Sequence, residues 1–333
     1  MTKKYTYRPH LRSKSGEARA LDSLTAASKL RMHPHINLVE KVPATFSQDV
    51  AASWVGLPLA LDGTFNSMQK GTLADFDRVF HDLGSNGVAV TPSLHFGASG
   101  PYLANVQSKV GTFTTGLTLT VKFDELPSAA WWAKANGFIL SDVDLVVNLY
   151  DVAGYSAAVL HPSLISGLSH HVTASVWRSV TLVASSSPRD TSALSYGRNV
   201  IPRRCLDAWV SSHSAVPYDL HFGDYATTTP DFQDPPGYVM SNVTVSVRYT
   251  TDNELIVRKG KVTKGKTGLP MPDQYRDHAK ALLGESAFGG LSRCWGDTRI
   301  GDIHLGAATP GNRTTWASIA ASRHMSLMAD RLP

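Results

Sequence analysis

The sequence has only two cysteines, Cys205 and Cys294. They are too few and too far apart for a disulfide framework or a metal knuckle, and both are read as reduced thiols. Charge is also sparse. Asp, Glu, Lys and Arg make up 18% of the 333 residues, below the roughly 25% of an average globular chain, which suits a surface largely covered by neighbours. No run of about 18 apolar residues occurs, so no membrane-crossing helix is expected. The opening stretch MTKKYTYRPHLRSKSG lacks the apolar segment of a secretory signal. Without one, Asn242-Val-Thr and Asn312-Arg-Thr read as chance matches to glycosylation acceptors. There is no internal repeat, no H-E-x-x-H and no G-x-S-x-G.

What is present is apolar material and an uneven charge. Hydrophobic residues reach 42%, enough for a folded body. Residues 1–41 carry nine Lys/Arg against three acids, 42–257 carry eleven against eighteen, and 258–280 carry seven against two. An acidic body thus sits between two basic segments. Lys3, Lys4, Arg8, Arg12, Lys14, Arg19, Lys29, Arg31 and Lys41 are spaced without pattern and interleaved with Tyr5 and Tyr7. This suits phosphate neutralisation, which needs charge but no fixed geometry. Residues 1–50 are accordingly read as a basic N-terminal arm with a short helix over 18–30, and these nine cations as a nucleic-acid contact.

Residues 51–259 are dominated by strand patterns. Leu117, Leu119, Val121 and Phe123 alternate with Thr118, Thr120 and Lys122; Val143, Leu145, Val147 and Leu149 share one face; Val243, Val245, Val247 and Tyr249 alternate with polar residues. Period two is what a strand with one face on a core requires. Further strands are expected over 53–61, 86–96, 172–184, 205–212, 218–226 and 254–259, with turn-rich separators such as Gly84-Ser-Asn-Gly87 and Asp234-Pro-Pro-Gly237. Short helices fit Ser128–Ala135 and Ser156–Leu168 between strands. These features predict a mainly β fold, an antiparallel eight-stranded jelly-roll sandwich. Residues 260–333 read as a partly helical C-terminal extension, with helices over 273–285 and 315–330.

Chemical motifs are weak. Gly260-Lys-Val-Thr-Lys-Gly-Lys-Thr267 fits the phosphate-cradling pattern G-x-x-x-x-G-K-[ST]. Pro270 and Pro272 follow at once and would break the helix such a loop must feed, so a basic hinge is the better reading. Asp142-Val-Asp144 sits on the polar face of a strand, and Asp75 and Asp77 on a loop. His33-Pro-His35 and His170-His171 lack a third ligand at useful spacing. Trp131, Trp132, Trp177 and Trp209 suit a core or an interface. No catalytic residue, metal or cofactor is expected, and the chain is not read as an enzyme.

The arm 1–41 followed by strands at 117–123, 143–149, 172–184 and 242–249 resembles the single jelly-roll capsid proteins of small icosahedral positive-strand RNA viruses, of the tombusvirus, sobemovirus and nodavirus kind. That resemblance implies a shell of many copies of the chain, arms reaching inward to genomic RNA, and location in the virion, with the host cytoplasm during assembly. It implies no membrane and no small-molecule substrate. A movement or other nucleic-acid-binding protein with a related β-fold, and a carbohydrate-binding sandwich or hydrolase, remain alternatives.

Overall fold

The computed structural model describes residues 7–233 and 244–332. Most of the period-two segments are strands, but the sheet they build is parallel. β1 (Tyr7–Arg12), β2 (His35–Asn37), β3 (Pro58–Asp62), β4 (Ala89–His95), β5 (Leu117–Lys122), β6 (Val143–Asp151), β7 (Ser179–Ser185) and β9 (Leu220–Asp224) close a barrel in that order. β9 returns to β1 through Tyr7 opposite Phe222, so every neighbouring pair is parallel. Parallel neighbours need crossovers. Helices α1 (Ser15–Asp22), α2 (Ala26–Lys29), α3 (Phe46–Trp54), α4 (Thr64–Lys70), α5 (Ala74–Ser85), α6 (Gly100–Thr112), α7 (Ala129–Ala135), α8 (Ala157–His171) and α9 (Arg204–Ala215) supply them. The expected antiparallel jelly roll, and with it the resemblance to capsid proteins, is therefore overturned by a closed eight-stranded parallel barrel.

The reason lies in the barrel interior. Leu117, Leu119 and Val121 are buried on the outer face of β5 in the main core, while Thr118 and Thr120 point inward and are equally buried. Parallel strands usually read as continuous apolar runs because both faces are dry and greasy. Here the inner face is polar, so each strand alternates as if one side met water. The short helices expected at 128–135 and 156–168 are α7 and α8, but α5 falls where Asp75 and Asp77 were read as loop residues. In α5, Phe76, Val79, Phe80 and Leu83 form the apolar stripe, with Asp75 and Asp77 favourably placed in the first turn. The expected strand at 205–212 is instead α9, whose buried Cys205, Leu206, Ala208, Trp209 and Ser212 follow a helical period.

A second unit grows from the barrel's last loops. β8 (Gly197–Pro202), β10 (Thr244–Thr250) and β11 (Glu254–Val262) form an antiparallel sheet in the order β10-β11-β8. α10 (Met271–Leu283) and α11 (Trp295–Leu305) pack on it around Val247, Tyr249, Tyr275, Ile300 and Trp316. α12 (Arg313–Arg331) starts at Asn312, whose side chain accepts from the Thr315 amide at 3.1 Å. Its first half belongs to this small core, and its second half, through Met325 and Met328, to the barrel core.

Two glycines permit the close approaches. Gly116 has φ +76°, and a Cβ there would lie 2.2 Å from the Asp142 carbonyl. Gly223 faces the barrel interior, where a Cβ would lie 2.6 Å from Val183 Cγ2 and 2.9 Å from the Arg8 carbonyl.

Candidate functional site

The barrel interior is built in layers, because inward side chains recur every second residue on each strand. At the N-terminal end of the strands, Arg8 donates to Asp144 Oδ2 at 2.8 Å and to Thr118 Oγ1 at 3.2 Å. Arg178 donates to both Asp144 oxygens, at 2.9 and 2.8 Å, and Ser179 Oγ to Oδ1 at 2.7 Å. Burial alone would raise the Asp144 pKa, but Arg8 and Arg178 outweigh it and hold the carboxyl well below the usual range. His33 Nδ1 lies 3.0 Å from Arg8 Nη2 in the same network, which closes the bottom of the barrel.

Above it lie two imidazoles. The His10 and His35 rings stand 4.2 Å apart, and His10 is 5.2 Å from the Tyr225 ring. Burial, then the neighbouring cationic groups, lowers the pKa of His10; burial also lowers that of His35, against the pull of Asp62. His10 Nε2, both ring nitrogens of His35 and Thr120 Oγ1 are buried without a hydrogen-bond partner among the described residues. Such atoms are rare in folded proteins and call for a ligand or water.

The C-terminal ends of the strands carry the reactive pair. Asp62, the last residue of β3, is buried. Its Oδ1 accepts from the Thr64 amide at 2.7 Å and its Oδ2 from Ser93 Oγ at 3.3 Å. Oδ2 also lies 3.1 Å from His95 Nε2, the last residue of β4, and 3.7 Å from His35 Nε2. Burial would lower the His95 pKa, but Asp62, supported by Glu125, raises it overall. The imidazole remains 32% exposed while the carboxylate behind it is 3% exposed. Beside this pair, the Lys122 amide donates to Glu125 Oε2 at 2.8 Å.

Backbone strain collects at the same end. Tyr150 (φ 57°) and Ala226 (φ 51°) are the non-glycine residues with positive φ among the described residues, and they lie at the ends of β6 and β9. Asn148 holds both neighbourhoods. Its Oδ1 accepts from the Tyr150 amide at 2.9 Å, and its Nδ2 donates to the Tyr225 hydroxyl at 2.6 Å. Left-handed backbone at a non-glycine residue is costly and concentrates at functional sites. In barrels of eight parallel strands with outer helices, active sites sit at this C-terminal face.

The opposite end offers a groove of about 330 Å³ lined by Val110, Leu117, Phe138, Ile139, Asp142 and Val143. It is apolar, holds a single carboxylate and no histidine, so it lacks the groups that move protons.

Of the nine cations read from the sequence as a nucleic-acid contact, the seven within the described residues do not gather on one face. Lys3 and Lys4 lie outside the described residues. Arg8 is inside the barrel floor. Arg12 ends β1 and pairs with Glu17 at 3.3 Å. Lys14 stands at the N-cap position of α1, Arg19 lies 5.2 Å over the Trp295 ring, and Arg31 donates to the Leu332 carbonyl. Lys29 reaches the Asp22 and Ser53 carbonyls, each at 3.2 Å, and Lys41 is exposed. Gly260–Thr267 is the end of β11 and a turn, with the next helix beginning only at Met271. Asp144 is a floor residue rather than a solvent-facing one. Among the described residues no three His, Cys, Asp or Glu side chains are placed to hold a metal ion, and no helix is long and apolar enough to cross a membrane. His95 and Asp62 carried no sequence signal of their own. Each lies in a predicted strand or at its end, and only the parallel closure makes those ends converge.

No curated protein matches the chain in sequence. Residues 7–330 match the family described as Beta protein, a description that states no activity. That match spans both the barrel and the smaller unit, and the chain belongs to the Beta protein family.

Proposed function

We propose that the protein is an enzyme that carries out general acid–base chemistry on a small molecule at the C-terminal mouth of the barrel. His95 is the proton carrier. Asp62 positions its ring and stabilises the imidazolium. The observation that carries this reading is the 3.1 Å contact between His95 Nε2 and Asp62 Oδ2, with the carboxylate buried and the imidazole partly open to solvent. With Nε2–H directed at the carboxylate, Nδ1 is left to take a proton from substrate and return it. The raised pKa keeps a proton on this imidazole to higher pH than on a free histidine, which suits a group that both accepts and returns a proton. His10 and His35, neutral and with unfilled hydrogen-bonding capacity, line the depth below.

The coat-protein reading, with genomic RNA on residues 1–41, drew on a two-layer antiparallel body and a free arm. The closed barrel takes away that architecture, because β1 and β2 of this segment are barrel staves. The test of the enzymatic reading is consumption of compounds from a small-molecule cell extract, followed by mass spectrometry. A compound consumed by the wild type should be consumed on the order of 10²–10⁴ times more slowly by His95→Ala. Equal consumption by the two proteins would refute the assignment.

A further inference from the structure

Arg248 stands out among the charged residues that this mechanism leaves unused. It leaves the small sheet on β10 and threads between the loops that follow β7 and β9. There its Nη2 donates to the Pro188 carbonyl at 2.9 Å and its Nη1 to the Thr227 carbonyl. Both partners are neutral. Ion pairs among the described residues are numerous, yet none engages Arg248. Burial, and then the positive charge of Arg12, lower the Arg248 pKa to about 10; Asp190 acts the other way. Asp190 is exposed and already accepts from the Ser192 amide at 2.7 Å and from its hydroxyl. Arg12 has Glu17 at 3.3 Å. β1 runs beside β9 with Pro9 opposite Asp224, Arg12 ends β1, and the Thr227 carbonyl just past β9 takes Arg248 Nη1, so both guanidinium groups belong to the same sector of the rim, with Glu17 the one carboxylate paired there, on Arg12. A partly desolvated cation is tolerated when a counter-charge reaches it, and among the described residues no carboxylate pairs with Arg248.

We propose that this rim, formed by Arg248 and Arg12, seats an oxyanion of the phosphate class carried by the substrate. The planar guanidinium fork matches two phosphate oxygens at once. Arg12 ends β1 and Arg248 lies beside the loops after β7 and β9, across the mouth from His95 on β4. The anionic group would thus anchor one end of a small molecule while its reacting end meets His95. The inference rests on the mouth being the functional site, and it names the class of molecule that the site takes.

The test is calorimetric titration of the full-length protein with inorganic phosphate at fixed ionic strength, with thermal melts confirming that each variant is folded. The wild type should show saturable binding. Arg248→Gln and Arg12→Gln should each weaken it at least tenfold, and Arg248→Lys should retain part of it. His95→Ala should bind phosphate as the wild type does, so failure of the anion site and failure of the acid–base assignment are separable. Absence of saturable binding, undiminished binding by folded Arg248→Gln, or acetate binding as tightly as phosphate would overturn the proposal.

Discussion

Mild acid should unfold this protein through histidines that the fold keeps neutral. His10, His33, His35 and His324 are buried with lowered pKa values, and His278 in the smaller core is lowered to about 4, in every case chiefly by burial. A histidine in the unfolded chain titrates near 6.5, so below that pH the unfolded state takes up protons that the folded state refuses, and stability falls with pH. One pH unit below 6.5, a histidine that stays neutral in the fold lowers stability by about 1.4 kcal/mol relative to pH 7.5. Five such groups set an upper bound of about 7 kcal/mol, a large part of the 5–15 kcal/mol typical of a domain. His95 works in the other direction. Its raised pKa contributes stability that is fully present below pH 6.5 and lost as pH rises through its folded value. The depressed carboxylates Asp62 and Asp224 give stability that persists until the pH falls towards their low folded pKa values, and so stay charged in this window. The assay is urea unfolding at pH 7.5 and 5.5 for the wild type and His10→Gln. Stability equal within about 1 kcal/mol at the two pH values would refute the assignment of neutral interior imidazoles.

Other expectations concern the barrel itself. Gly223→Ala forces a Cβ against Val183 and the Arg8 carbonyl and should cost about 1–3 kcal/mol, seen as a lower melting temperature. Asp144→Ala leaves Arg8 and Arg178 without their shared carboxylate and should cost about 3–5 kcal/mol, measured by denaturant unfolding. Deleting residues 1–41 removes β1 and β2 from a closed sheet; loss of a cooperative melt is expected, and a cooperative melt by the truncated chain would contradict the closure.

Strand positions were legible because side-chain alternation is a local property. Leu117–Lys122, Val143–Asp151 and Glu254–Val262 fall close to where their period-two patterns placed them. Strand direction was not legible. It depends on what each face touches, and a barrel lined with Thr118, Thr120, Asp144 and Asn148 presents the same alternation as a sheet wet on one side. The arm reading failed for a similar reason. Arg8 and His10 mark a polar barrel interior, but in a linear sequence they count only as charge and a scattered histidine. The candidate site was not legible at all. Asp62 and His95 are 33 positions apart in the chain, and they meet only because β3 and β4 run side by side in the same direction.

The most direct measurement compares two ends of one barrel. His95→Ala alters the mouth, and Ile139→Ser alters the groove at the opposite end, where Ile139 is 67% exposed. With the compound consumed by the wild type as reporter, turnover should collapse in His95→Ala and persist in Ile139→Ser, while both variants keep a cooperative melt. Loss of turnover in Ile139→Ser with full turnover in His95→Ala would place the chemistry at the wrong end of the strands and contradict the site.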